Sequence, residues 1–184
     1  MGGPRETSIT AGARADPIHP SASTGRSPWE AMARWAQALA ARVAFDQPTQ
    51  HVAVLVHDPD AGALRLVGQV WGAGEDTGEV VVGDWLVPLE GSVCGRVFRT
   101  GAAALAADVA LDPDYLPFPG GRSRSSLTVP IASNEGVVGV INVEAPWMSA
   151  FTIADYERLS GLAMAAIDEM PGRDDDVEAD PPAA

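Results

Sequence analysis

The sequence predicts an α+β fold, and three observations carry that reading. Two stretches of alternating, β-branched residues are each followed by a polar turn and a second such stretch, the pattern of antiparallel hairpins. These hairpins stand at the two ends of a series of shorter apolar segments, which argues for one antiparallel sheet. A helical apolar repeat precedes the series and another follows it, supplying helices to cover that sheet.

The elements read α-β-β-β-α-β-β-β-α. Ser27-Pro28 followed by Glu30 starts a helix, because Ser caps, Pro fits the first turn and Glu complements the dipole there. Trp29, Met32, Ala33, Ala36, Leu39, Ala40 and Val43 then recur at helical spacing, and Pro48 ends the run by disfavouring helix just before it. His51 to His57 alternates as a strand, residues 58–62 turn, and Ala63 to Trp71 returns. A Gly-rich acidic loop leads to a third strand over Glu79 to Leu89. Ser92 opens a short helix through Phe98, which Gly101 closes. Ala103 to Val109 is a short strand, and an irregular loop follows from Ala110 to Arg124. Ser125 to Ala132 and Val137 to Glu144 form the second hairpin around Asn134-Glu135-Gly136. Thr152 caps the last helix with Asp155 three residues on, and the repeat continues to Met170.

One domain is therefore expected over residues 28–170 of the 184. Residues 1–27 have almost no large apolar side chains and read as a disordered extension; residues 171–184 read as a disordered acidic tail. The net charge is −13 and every basic residue is Arg. So acidic a surface repels phosphate backbones, which argues against nucleic acid and anionic membrane as partners. Without Lys there is no Schiff-base chemistry and no Walker-type phosphate lysine. No apolar run is long enough to span a membrane and no secretory signal is visible, so a cytoplasmic protein is expected.

Period two sorts the last strand. Val137, Gly139, Ile141 and Val143 form an apolar face, assigned to the terminal helices, with Gly139 allowing a helix to approach. Val138, Val140, Asn142 and Glu144 face the other way, toward a cavity with an apolar floor and a few polar contacts. On the preceding strand Leu127, Val129 and Ile131 share the helix face, so Ser126 and Thr128 join Asn142 and Glu144.

Five stretches in order resemble the GAF family: residues 87–98 (VPLEGSVCGRVF), Asp108-Val109 with Asp112-Pro113-Asp114-Tyr115, residues 122–131, residues 136–144, and Phe151-Thr152-Ile153-Ala154-Asp155. With the looser first half the resemblance covers residues 28–170. It implies a six-stranded antiparallel sheet, the first and last helices on one face and a small-molecule pocket on the other. It also implies a sensory or dimerising role in signal transduction.

The enzymes of this family, the free methionine-(R)-sulfoxide reductases, typically carry three cysteines. Here Cys94 stands alone, and Ser126 occupies the place of their substrate-binding Glu. A reductase needs a thiolate and a resolving thiol, so that activity is the alternative reading and a non-enzyme the preferred one. The cyclic-nucleotide signature and the usual bilin motifs are absent, and no cofactor is expected. His51 and His57, roughly 20 Å apart along one strand, read as surface histidines rather than shared metal ligands. Gly72-x-Gly74 is followed by Glu75 and Asp76, which repel an anion. Asp108, Asp112 and Asp114 read as turn residues, so no metal site is expected.

The candidate pocket is then Trp71, Trp85, Asp108, Tyr115, Phe118, Arg122, Arg124, Ser126, Thr128, Asn142 and Glu144. Aromatic walls with an acid and an Arg suit a small zwitterion or a heteroaromatic ligand. The Ala-rich first helix and the stripe Tyr156, Leu159, Ala163, Ile167 and Met170 on the last point to a homodimer through those helices. A separate signalling protein would then receive the output.

Overall fold

A computed structural model of the chain describes residues 28–45, 51–72, 83–118 and 120–172. The expected extension over residues 1–27, the tail from residue 173 and the first part of the third strand, residues 79–82, lie outside the described residues. The elements are α1 (Pro28–Phe45), β1 (His51–Asp58), β2 (Ala63–Trp71), β3 (Leu86–Pro88), α2 (Val93–Thr100), β4 (Ala104–Ala106), β5 (Ser125–Ser133), β6 (Gly136–Ala145) and α3 (Ile153–Ala166). Short 3-10 turns at Val109–Leu111 and Ile167–Glu169 complete the series.

The six strands form one antiparallel sheet in the order β3-β2-β1-β6-β5-β4. The two hairpins place β1 and β6 at its centre, where each strand has a ladder on both sides. Both inner faces are apolar. The larger cluster packs α1 and α3 against Val54, Leu127, Val129 and Ile141. The smaller one packs α2 against Leu55, Leu64, Leu66 and Val140. The Trp35 indole N–H donates to the Ala166 carbonyl at 3.0 Å and ties α1 to α3. The caps expected on α2 and α3 are present, while Ser27 lies outside the described residues: Ser92 Oγ accepts from Gly95 N at 2.9 Å, Gly101 closes α2 in the left-handed region, and Thr152 with Asp155 forms a reciprocal capping box.

Five expectations need correction. Among the described residues the third strand is Leu86–Pro88, with Gly83 and Asp84 in a turn, and the fourth is only Ala104–Ala106. Both are edge strands, which hold a ladder on one side alone. The last helix becomes a 3-10 turn after Ala166. A bulge between Ile131 and Ala132 shifts the β5–β6 register, so Val138 and not Val137 packs on the helix-side cluster. Gly139 faces no helix: a Cβ there would lie 2.3 Å from the Leu55 carbonyl oxygen of β1. The glycine that a helix approaches is Gly68, where a Cβ would meet the Ala36 carbonyl carbon at 2.5 Å.

Candidate functional site

On the α2 side of the sheet, β5 and β6 bring four polar residues together by register alone. Ser126 pairs with Glu144 and Thr128 with Asn142, and β1 adds His51 opposite Glu144 from the other flank. All five are buried. Thr128 Oγ1 donates to Asn142 Oδ1 at 2.8 Å, and Asn142 Nδ2 donates to Glu144 Oε1 at 3.2 Å. Ser123 Oγ, from the loop after β4, donates to Glu144 Oε2 at 2.7 Å, and the Tyr115 hydroxyl also hydrogen-bonds this carboxyl.

An aromatic shell surrounds this network. His51 stacks on Trp71 with centroids 4.0 Å apart and touches Phe118 at 4.3 Å; Trp85 lies 5.8 Å from Phe118. Between Trp85, Tyr115, Phe118, Ser126, Asn142 and Glu144 remains a cavity of about 20 Å³, also bordered by Cys94 and Leu116. That is room for one water molecule.

The loop that covers the cavity is anchored electrostatically. Arg96 of α2 reaches Asp112 at 2.6 Å and Asp114 at 2.5 Å, and Asp112 Oδ1 accepts from the Asp114 amide at 3.0 Å. The two acids thus act as turn residues clamped by one guanidinium. Among the described residues no group of three His, Cys, Asp or Glu side chains could hold a metal ion.

Burial shifts the titrations. It pushes His51 down to about 4, partly opposed by the contact with Gln69, so the ring is neutral at pH 7. It holds Glu144 above the usual carboxylate range, opposed by the bonds from Ser123, Asn142 and Tyr115. Burial and then the nearby Glu144 push the Cys94 thiol up to about 12 and the Tyr115 phenol likewise to about 12. His51 Nδ1 stands 4.0 Å from Glu144 Oε2. With His51 neutral, this is proximity rather than an ion pair. Three buried ring nitrogens have no partner: His51 Nδ1, Trp71 Nε1 and Trp85 Nε1.

Of the residues expected at the pocket, Trp85, Tyr115, Phe118, Ser126, Asn142 and Glu144 line the cavity; Trp71 and Thr128 stand behind it. Asp108, Arg122 and Arg124 do not. Asp108 caps the 3-10 turn at Val109, Arg124 pairs with it at 3.5 Å on the surface, and Arg122 is exposed. His51, expected at the surface, is fully buried against the carboxyl. Its period-two partners Ala53 and Leu55 line the same face, a signal present in the strand pattern. His57 is half-buried against Phe98, 4.7 Å away.

Comparison with solved structures supports the fold. The type II free methionine-R-sulfoxide reductase from Thermoplasma acidophilum superposes with a TM-score of 0.62 at 22% identity, over 78% of this chain and 97% of that one. The GAF domain of a phosphoenolpyruvate-protein phosphotransferase from Coxiella burnetii gives 0.65 at 17%, over 75% and 81%. The GAF-B domain of DevS from Mycobacterium smegmatis gives 0.56 at 22%, over 76% and 90%. No curated protein matches the sequence. The family model described as GAF domain matches residues 27–167. With its six-stranded antiparallel sheet and flanking helices, the chain belongs to the GAF domain family.

Proposed function

We propose that this chain is a non-catalytic GAF sensory module whose α2-side cavity receives a planar heteroaromatic ligand. One observation carries the reading: the unpartnered buried indole nitrogen of Trp85 and the Glu144 carboxyl border one cavity in an aromatic shell, with His51 packed behind its Phe118 wall. The Trp85 indole N–H calls for an acceptor, and Glu144, which already accepts from Ser123, Asn142 and Tyr115, has lone pairs left for a further donor, so a ring edge with an N–H beside a carbonyl complements both. With Arg122 and Arg124 outside, nothing cationic is left to hold a ligand carboxylate, which disfavours the zwitterion. Against reductase chemistry stands Cys94, buried and with its thiol pushed up to about 12, since the thiolate is the nucleophile. No helix among the described residues is long and apolar enough to cross a membrane, and the working reading is a cytoplasmic module with a separate signalling partner.

The test is NMR titration with small lactam-bearing heteroaromatics. Expected are shifts at the Trp71 and Trp85 indole protons and at Ser126 and Asn142. Shifts confined to other surfaces overturn the cavity reading. Cys94-dependent turnover of free methionine-(R)-sulfoxide overturns the non-catalytic one.

A homodimer is also proposed, on a surface that keeps only Tyr156 of the stripe expected on α3. Ala36, Ala40, Leu159, Ala163 and Ile167 are core residues. Ile153, Tyr156 and Met164 instead form an exposed stripe on α3, with 64%, 38% and 71% of their surface free. Replacing Met164 with Glu should lower the sedimentation coefficient to that of a monomer; wild-type protein that is already monomeric at high concentration removes the proposal.

A further inference from the structure

We propose that the cleft between the first turn of α1 and the residues just after α3 docks a cationic, amphipathic segment of a partner protein. It lies at the opposite end of β6 from Glu144 and is independent of the cavity there. The cleft has a volume of about 970 Å³, far above what the polar cavity offers. Its walls are Trp29 and Met32 of α1 and Met170 beyond the 3-10 turn; its floor includes Val56 and Val138. The β5–β6 bulge brings Val138 to this side. Val56 is buried in the floor, and Trp29, Met32, Val138 and Met170 are half-buried around it.

The rim is acidic. Asp60 from the β1–β2 turn, Glu135 from the β5–β6 turn and Asp168 after α3 converge on it from three elements. No cation among the described residues pairs with any of the three. Arg65 of β2 is committed to Asp58 at 2.5 Å and lies over the Trp29 ring at 5.1 Å.

Charge selects the occupant. A second copy of a chain with net charge −13 would bring the same carboxylates face to face, and anionic surfaces are repelled by the same rim. A small cation would satisfy the rim and leave the apolar floor wet. A polypeptide segment with aliphatic anchors on one face and Lys or Arg on the other covers both, the helix-in-groove mode of recognition.

The test uses the full chain and a synthetic Leu/Lys peptide of about sixteen residues patterned for an amphipathic helix. Saturable shifts are expected at the Trp29 indole and the Met32 and Met170 methyl groups. Affinity should fall about ten-fold between low and roughly 0.5 M salt. Combining Asp60→Asn, Glu135→Gln and Asp168→Asn, all exposed, should weaken it about ten-fold. The proposal is overturned if the peptide does not bind, if a scrambled peptide of equal composition binds as well, or if shifts fall elsewhere. It is overturned too if binding appears only after Arg5, Arg14 and Arg26 are changed to Gln. That result would assign the cleft to the chain's own N-terminal segment.

Discussion

His51 and Glu144 face each other across β1 and β6, and burial drives both toward neutrality with opposite consequences for stability. His51 is held at about 4 against an ordinary 6.5. Its stabilising contribution is complete above pH 6.5 and is lost as pH falls toward 4, because the unfolded chain takes up a proton that the folded one refuses. For Glu144 the folded value is the higher one, so its contribution is present at low pH and drains away as pH rises past the ordinary carboxylate range. Replacing His51 with Phe should therefore reduce the loss of unfolding free energy between pH 6.5 and 4 by up to about 3 kcal/mol, read by urea denaturation at each pH. An unchanged slope would mean that His51 is not buried as a neutral ring. Cys94 should resist thiol reagents at pH 8 in the native state and react at once in urea; fast native labelling contradicts its burial. The polar quartet Ser126, Thr128, Asn142 and Glu144 was legible because side chains alternate strictly along paired strands. The loop arginines were not, since no periodicity governs where Arg122 and Arg124 point. His51 was missed because a residue at a strand end reads as exposed unless the neighbouring strand is known.

At the scale of elements, the central strands and all three helices were legible from periodicity and caps. The edges were less so: among the described residues β3 and β4 pair over three residues each, and nothing in the alternation of the sequence marks where an edge ladder stops. The bulge at Val138 has no sequence signature apart from an unbroken valine pair. The α1–β2 contact rests on Gly68, where an added methyl would collide with the α1 backbone. Gly68→Ala should cost about 2 kcal/mol or more in thermal or chemical unfolding. Gly161→Ala on the exposed side of α3 meets open space and should stabilise by about 0.5–1 kcal/mol. If both changes behave alike, close packing of α1 on Gly68 is refuted. Thr152→Ala removes one half of the capping box and should cost about 1 kcal/mol.

At the scale of the whole molecule, the net charge of −13 was the plainest message of the sequence and the least informative about fold. Such an excess repels itself in the compact state. Moderate salt should therefore raise the unfolding midpoint through screening, measured by calorimetry from about 0.01 to 0.3 M NaCl. A midpoint insensitive to salt would show that the charges are held too far apart to matter.

The cavity beside Glu144, with room for a single water, also sets a rule for time. The ring ligand proposed above fits only once Tyr115, Phe118 or Trp85 swings aside, so under that proposal opening comes before capture. Apparent affinity is then reduced by the fraction of molecules open at any instant. The observed association rate should level off at high ligand concentration, at the frequency with which the Arg96-clamped loop releases. A ligand sensor gated as proposed would answer slowly and ignore brief exposures.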